Sequence, residues 1–105
     1  MAMRVLIRDQ AYNDLAEISD HLCKTSEALA MRFLTSADAT FADLAKNPGL
    51  GSPCHFSHPF VADVRHWRVK GFKNYLVFYA AVEHGVRIYR VLHGARDVES
   101  VLAED

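Results

Sequence analysis

The sequence predicts an α+β domain of order β-α-α-β-β-β, in which a helical hairpin covers one face of a mainly antiparallel four-stranded sheet and a short helix ends the chain. Two observations carry this. Between residues 11 and 44 apolar side chains recur three and four residues apart, the period of an amphipathic helix, whereas from 64 to 93 they alternate or run continuously, as in strands. Between these halves, residues 47–60 hold all three prolines and two of the five glycines, so the change of pattern falls at a surface loop.

The elements follow in order. Met3-Arg4-Val5-Leu6-Ile7-Arg8 reads as a first strand with Met3, Val5 and Ile7 on one face. Asp9 is a candidate N-cap for a helix whose stripe is Ala11, Leu15, Ile18 and Leu22, with Asp14, Glu17 and Asp20 off the stripe and toward water. Lys24-Thr25-Ser26 breaks the pattern, and Ser26 can cap a second helix with Leu29, Phe33, Ala37, Thr40, Phe41 and Leu44 on its buried side. Asn47-Pro48-Gly49 stops it, since proline lacks the N–H that the ladder needs and disfavours helix at the residue before it. A strand at 64–69, a turn around 70–74, a strand at 75–82 that is apolar on both faces, a tight turn at Glu83-His84-Gly85 and a last strand at 86–93 complete the sheet. Asp97 can cap the final short helix, in which Val98, Val101 and Leu102 share a face.

Composition narrows the function. The chain of 105 residues is half apolar, enough for one core without metal or disulfide staples, and is expected to be a single domain over 1–105. It has no run of about 20 apolar residues to span a membrane, and the apolar run at its N-terminus is too short for a signal peptide, so a cytoplasmic protein is expected. Cys23 and Cys54 are expected to be reduced thiols. The net charge of −1 argues against a free-standing nucleic-acid binder, which usually carries a basic excess for phosphate contacts. Cys54, His55 and His58 do not have a zinc-site spacing and lack a fourth ligand. No metal or cofactor is expected, and no phosphate-cradling glycine loop or nucleophile motif is present.

Three segments carry a family resemblance. Arg65-His66-Trp67-Arg68-Val69-Lys70-Gly71-Phe72-Lys73-Asn74-Tyr75-Leu76-Val77-Phe78-Tyr79 resembles the central hairpin of ParE-type toxins. Arg90-Val91-Leu92-His93-Gly94-Ala95-Arg96-Asp97 is similar to their C-terminal signature, and Pro48-Gly49-Leu50-Gly51 with Pro53 to the loop that leaves their second helix. The resemblance spans essentially the whole chain and is to the RelE/ParE superfamily, nearer ParE. It implies the toxin half of a type II toxin–antitoxin pair, neutralised by a ParD-like antitoxin whose C-terminal segment folds along the toxin as a helix in a groove and can add a strand.

Within that superfamily two targets compete. ParE-like toxins trap DNA gyrase on cleaved DNA, a protein-binding inhibition without catalytic residues. RelE-like relatives cut ribosome-bound mRNA, which needs a base, an acid and cations against the developing phosphorane charge. The basic candidates are Arg65, His66, Arg68, Lys70, Lys73, Arg87, Arg90, His93 and Arg96. If Val86, Ile88 and Leu92 face the helices, alternation puts Arg87, Tyr89 and His93 together on an open face. A nuclease would then use Arg65, Arg87 and His93. The near-neutral charge and the lack of a tyrosine after the last strand favour the gyrase reading, with no sequence-specific nucleic-acid contact by the toxin alone. Its target-binding candidates are Arg65, Trp67, Arg68, Arg87, Tyr89, His93 and Arg96. A degenerate toxin that retains only antitoxin binding is the third alternative.

Overall fold

The computed structural model describes residues 3–57, 59–94 and 101–102. A short strand β1 (Arg4–Ile7) leads directly into α1 (Asp9–Cys23) and α2 (Glu27–Lys46). Then come β2 (Ser52–Pro53), one 3-10 turn (Pro59–Val61), β3 (Arg65–Val69), β4 (Phe72–Val82) and β5 (Gly85–His93). The sheet has five strands in the order β1-β5-β4-β3-β2. β1 runs parallel to β5 and the other pairs are antiparallel. That one parallel pairing needs a long crossover, which the helical hairpin supplies.

The sequence pattern predicts four strands. The fifth is the two-residue β2, which pairs with Arg65 and His66 inside the predicted loop. Proline cannot serve a central ladder, and Pro53 is accommodated because β2 is an edge. Ser26 caps α2 as expected, its Oγ accepting from Leu29 N–H at 3.2 Å. At α1 the N-cap is Arg8 rather than Asp9, with no side-chain hydrogen bond, and Asp9 heads the first turn. A carboxylate there still complements the helix dipole.

The hairpin and the sheet enclose the larger core, built on Ala11, Leu15, Phe33, Phe41, Leu44, Val77, Tyr79, Val86, Ile88 and Val91. Thr40, buried in α2, fixes the hairpin to the β3–β4 turn. Its Oγ1 accepts from Lys70 N–H at 3.1 Å while its O–H donates to Ser36 O at 2.7 Å. The second sheet face holds a smaller cluster of Val61, Val64, Phe78, Leu92 and Leu102. β4 is thus covered on both sides, as its two-faced apolar sequence requires. Of the predicted final helix, Val101 and Leu102 are described and are helical. The expected cap Asp97, and Val98, lie outside the described residues.

One expected surface residue is not at the surface. Asp14 is 6% exposed and takes a two-pronged contact from Arg90, Nε to Oδ2 at 2.7 Å and Nη2 to Oδ1 at 2.8 Å, plus Val91 N–H at 3.0 Å. Its helical position lies off the apolar stripe, yet it meets the sheet at a bulge in β5. Phe78 pairs with Arg90 and Tyr79 with Ile88, leaving Tyr89 as the extra residue. A bulge of this kind re-aims the side chains beyond it.

Candidate functional site

The bulge also decides where the candidate site residues go. Val86 and Ile88 face the helices as expected, but the extra residue resets the alternation, so Val91 joins the same core and Leu92 joins the cluster on the second face. The expected Arg87–Tyr89–His93 row is therefore broken. Arg87, opposite Ala80, and Tyr89 belong to the second face. Tyr89 carries the Arg8 guanidinium 5.2 Å above its ring. His93 lies edge-on to Tyr75 at 5.6 Å, and Tyr75 in turn contacts Phe33 of α2.

Arg65 is occupied elsewhere. Its Nη1 donates to Gly51 O at 2.7 Å. Tyr79 Oη accepts from Gly51 N–H at 2.8 Å and donates to Pro48 O at 2.8 Å. Together they clamp the loop that leaves α2. Gly51 is required there, since a Cβ would sit 2.6 Å from both His66 O and Tyr79 Oη. Burial pushes the Tyr79 phenol above its ordinary pKa, outweighing the opposing hydrogen bond from Gly51 and the Arg65 charge. The residue therefore serves the loop as a neutral phenol. Burial likewise raises the Cys54 thiol to about 11.

The residues that do come together are on the β3–β4 hairpin. β2 ends opposite His66, so Trp67 and Arg68 lie on an edge that no described residue covers, from which side chains of both faces are reachable. A cleft of about 250 Å³ is lined there by Ser52, His66, Trp67, Arg68, Lys73 and Leu76. The lining includes no carboxylate. Trp67 is half-buried, one side packed against the main core, and the Arg68 guanidinium carbon lies 6.0 Å from its ring centroid. His66 tilts toward Phe78 at 6.4 Å. A rigid indole flanked by exposed cations is the composition of a protein-interface anchor, and it complements acidic surface.

Of the predicted target-binding residues, Trp67 and Arg68 meet in this cleft, Arg87 and Tyr89 lie on the other end of the sheet, and Arg65 and His93 are each held by local contacts. Arg96 lies outside the described residues. From sequence His66 and Lys73 are only basic candidates for nuclease chemistry, and Ser52 and Leu76 carry no local signal at all. Among the described residues no cluster of His, Cys, Asp and Glu could hold a metal ion, and no helix is long and apolar enough to cross a membrane.

The model of the ParE toxin of type II toxin-antitoxin system, parDE, matches residues 5–98. A solved structure described as the chromosomal ParDE TA system from P. aeruginosa superposes with a TM-score of 0.69 at 16% identity, covering 87% of this chain and 95% of that one. No curated protein matches.

Proposed function

The chain belongs to the ParE toxin family of type II toxin–antitoxin systems, and from that premise we propose that it inhibits growth in the cytoplasm by trapping DNA gyrase, and that a ParD-like antitoxin neutralises it. The observation that carries the choice of target is the distribution of the cationic residues. Arg65, Arg87 and His93, the three that a nuclease would use, are held at separate places on the sheet, one in a loop clamp, one on the second face and one against Tyr75. General acid–base work on a phosphodiester needs such groups within hydrogen-bond reach of one reacting centre. The Trp67, Arg68, Lys73 and His66 cluster instead favours docking on a protein surface.

The test is a parallel assay of the purified chain. With gyrase, ATP and supercoiled DNA, cleaved DNA should accumulate, while mRNA on translating ribosomes stays intact. Trp67→Ala and Arg68→Glu should each lower cleavage at least tenfold while keeping the fold by circular dichroism. Cut mRNA with unaffected gyrase would overturn the target, and inactivity in both assays would leave a chain that binds antitoxin only.

A further inference from the structure

β1 and β5 place three arginines on the face of the sheet turned away from the helices. Ile7 packs into the helix-side core, so alternation sends Arg4 and Leu6 to the opposite face. Arg8 follows them, because its backbone is still extended (φ −68°, ψ 153°) and its N–H continues the ladder to Ile88 O at 3.1 Å. Its guanidinium does lie there, 5.2 Å from the centre of the Tyr89 ring. Arg87 shares this face, opposite Leu6 on one side and Ala80 on the other. The three arginines therefore flank Leu6, Arg4 and Arg8 two residues to either side along β1 and Arg87 across from it.

Nothing described neutralises the group. Arg4 stands opposite Gly85, which has no side chain, and Arg87 opposite Ala80, which offers only a methyl group. Arg4 and Arg87 are exposed, and neither forms an ion pair with a described residue. Glu83, in the β4–β5 turn, contacts His84 at 3.4 Å. The apolar side chains that this end of the chain leaves open, Met3 and Val5, are on the helix side. Among the described residues the arginine face thus has no large exposed hydrophobic side chain. Protein interfaces centre on aromatic anchors in desolvated pockets, which the Trp67 cleft supplies and this face does not. Cations without such an anchor suit a ligand that presents repeated anions. From Arg4 to Arg8 the strand covers about 13 Å, roughly the axial length of four base pairs.

We propose that Arg4, Arg8 and Arg87 form a binding site for the sugar–phosphate backbone of duplex DNA, one that does not read sequence. Guanidinium groups donate paired, charge-assisted hydrogen bonds to phosphate oxygens, and Arg8 is already oriented by the Tyr89 ring. Three contacts on a chain of net charge −1 hold DNA weakly, so the site works where another contact brings the duplex close. The proposal deepens the gyrase-trapping reading and rests on it for that setting. β3 and β1 are three strand spacings apart, about 14 Å. A chain docked on gyrase through the Trp67 cleft can thus touch the bound DNA with its other end, and the second contact lengthens its residence without any new protein surface.

The probe is a short labelled duplex of arbitrary sequence, titrated with the intact chain over a range of salt concentrations and followed by fluorescence anisotropy. The logarithm of the association constant should fall against the logarithm of salt with a slope of about −2.7, three contacts at about −0.9 each. That is about a fortyfold loss for a fourfold rise in salt. Arg4→Gln and Arg87→Gln should each weaken binding and flatten the slope by about 0.9. Lys24→Gln, which removes an exposed cation from the connection between the helices, should change neither. No binding, a slope unaltered by both arginine variants, or an equal response to Lys24→Gln would each overturn the proposal. So would tighter binding of a single-stranded RNA, or of a glutamate-rich peptide of equal charge. The titration contains no gyrase. A chain that binds the duplex in this way but accumulates no cleaved DNA with gyrase supports the site and refutes the functional reading, whereas one that traps gyrase without binding the duplex refutes the site alone.

Discussion

Asp14 and Arg90 hold α1 against the bulged stretch of β5, and both are largely withdrawn from water, with side chains 7% and 15% exposed. Breaking such a pair from one side strands the other charge, at a cost of about 3 kcal/mol or more. Asp14→Ala should therefore lower the free energy of unfolding by roughly that amount in urea titrations, whereas Glu17→Ala on the same helix should change it by less than about 0.5 kcal/mol. Tyr79 works on the same scale, and Tyr79→Phe leaves Gly51 N–H and Pro48 O without their partner, costing about 1–3 kcal/mol. The thiols separate by environment. With its pKa raised to about 11 by burial, Cys54 holds about a hundredfold less thiolate than an ordinary cysteine near pH 8. The exposed Cys23 should be alkylated first by iodoacetamide, and equal rates would contradict the burial of Cys54.

At the scale of elements, the position of β1 depends on a missing side chain. A Cβ at Gly85 would overlap the backbone of Arg4, so Gly85→Val should force β1 away from β5. The measurable consequence is loss of hydrogen-exchange protection at Arg4 and Leu6, with the β3–β4 amides unaffected. Ser26 holds the start of α2 by its cap hydrogen bond, and Ser26→Ala should cost about 1 kcal/mol. Both helices, with the Ser26 cap and the proline stop of α2, were legible from sequence because periodicity, capping and a proline stop are local; the start of α1 was not, since its N-cap is Arg8 without a side-chain hydrogen bond. β2 was not, since two residues carry no period and pair only because β3 passes beside them.

For the whole molecule, the two-faced sheet needs cover on each side. The helices supply one, and on the other Leu102, 3% exposed, reaches back onto Val61, Val64, Phe78 and Leu92. Leu102→Ala should cost about 2–5 kcal/mol by removing that buried side chain, readable as a lowered thermal midpoint. Among the described residues the same layered arrangement leaves the β3–β4 hairpin edge and the outer edge of β1 uncovered.

The two helices, the three main C-terminal strands, the placement of β4 at the centre and the family to which these segments belong are legible along the chain alone. They are so because helix and strand periods, turn residues and a two-sided apolar run are properties of neighbouring residues. Which basic residues share a surface depends on the folded sheet. Strict alternation puts Arg87, Tyr89 and His93 in one row, but the single extra residue at Tyr89 reverses the alternation from Val91 onward, so His93 no longer shares a face with Arg87. The pairing of Asp14 with Arg90, 76 residues apart, was hidden for the same reason: it exists only once the bulge and the helix meet, and no stretch of chain short enough to show a pattern contains both.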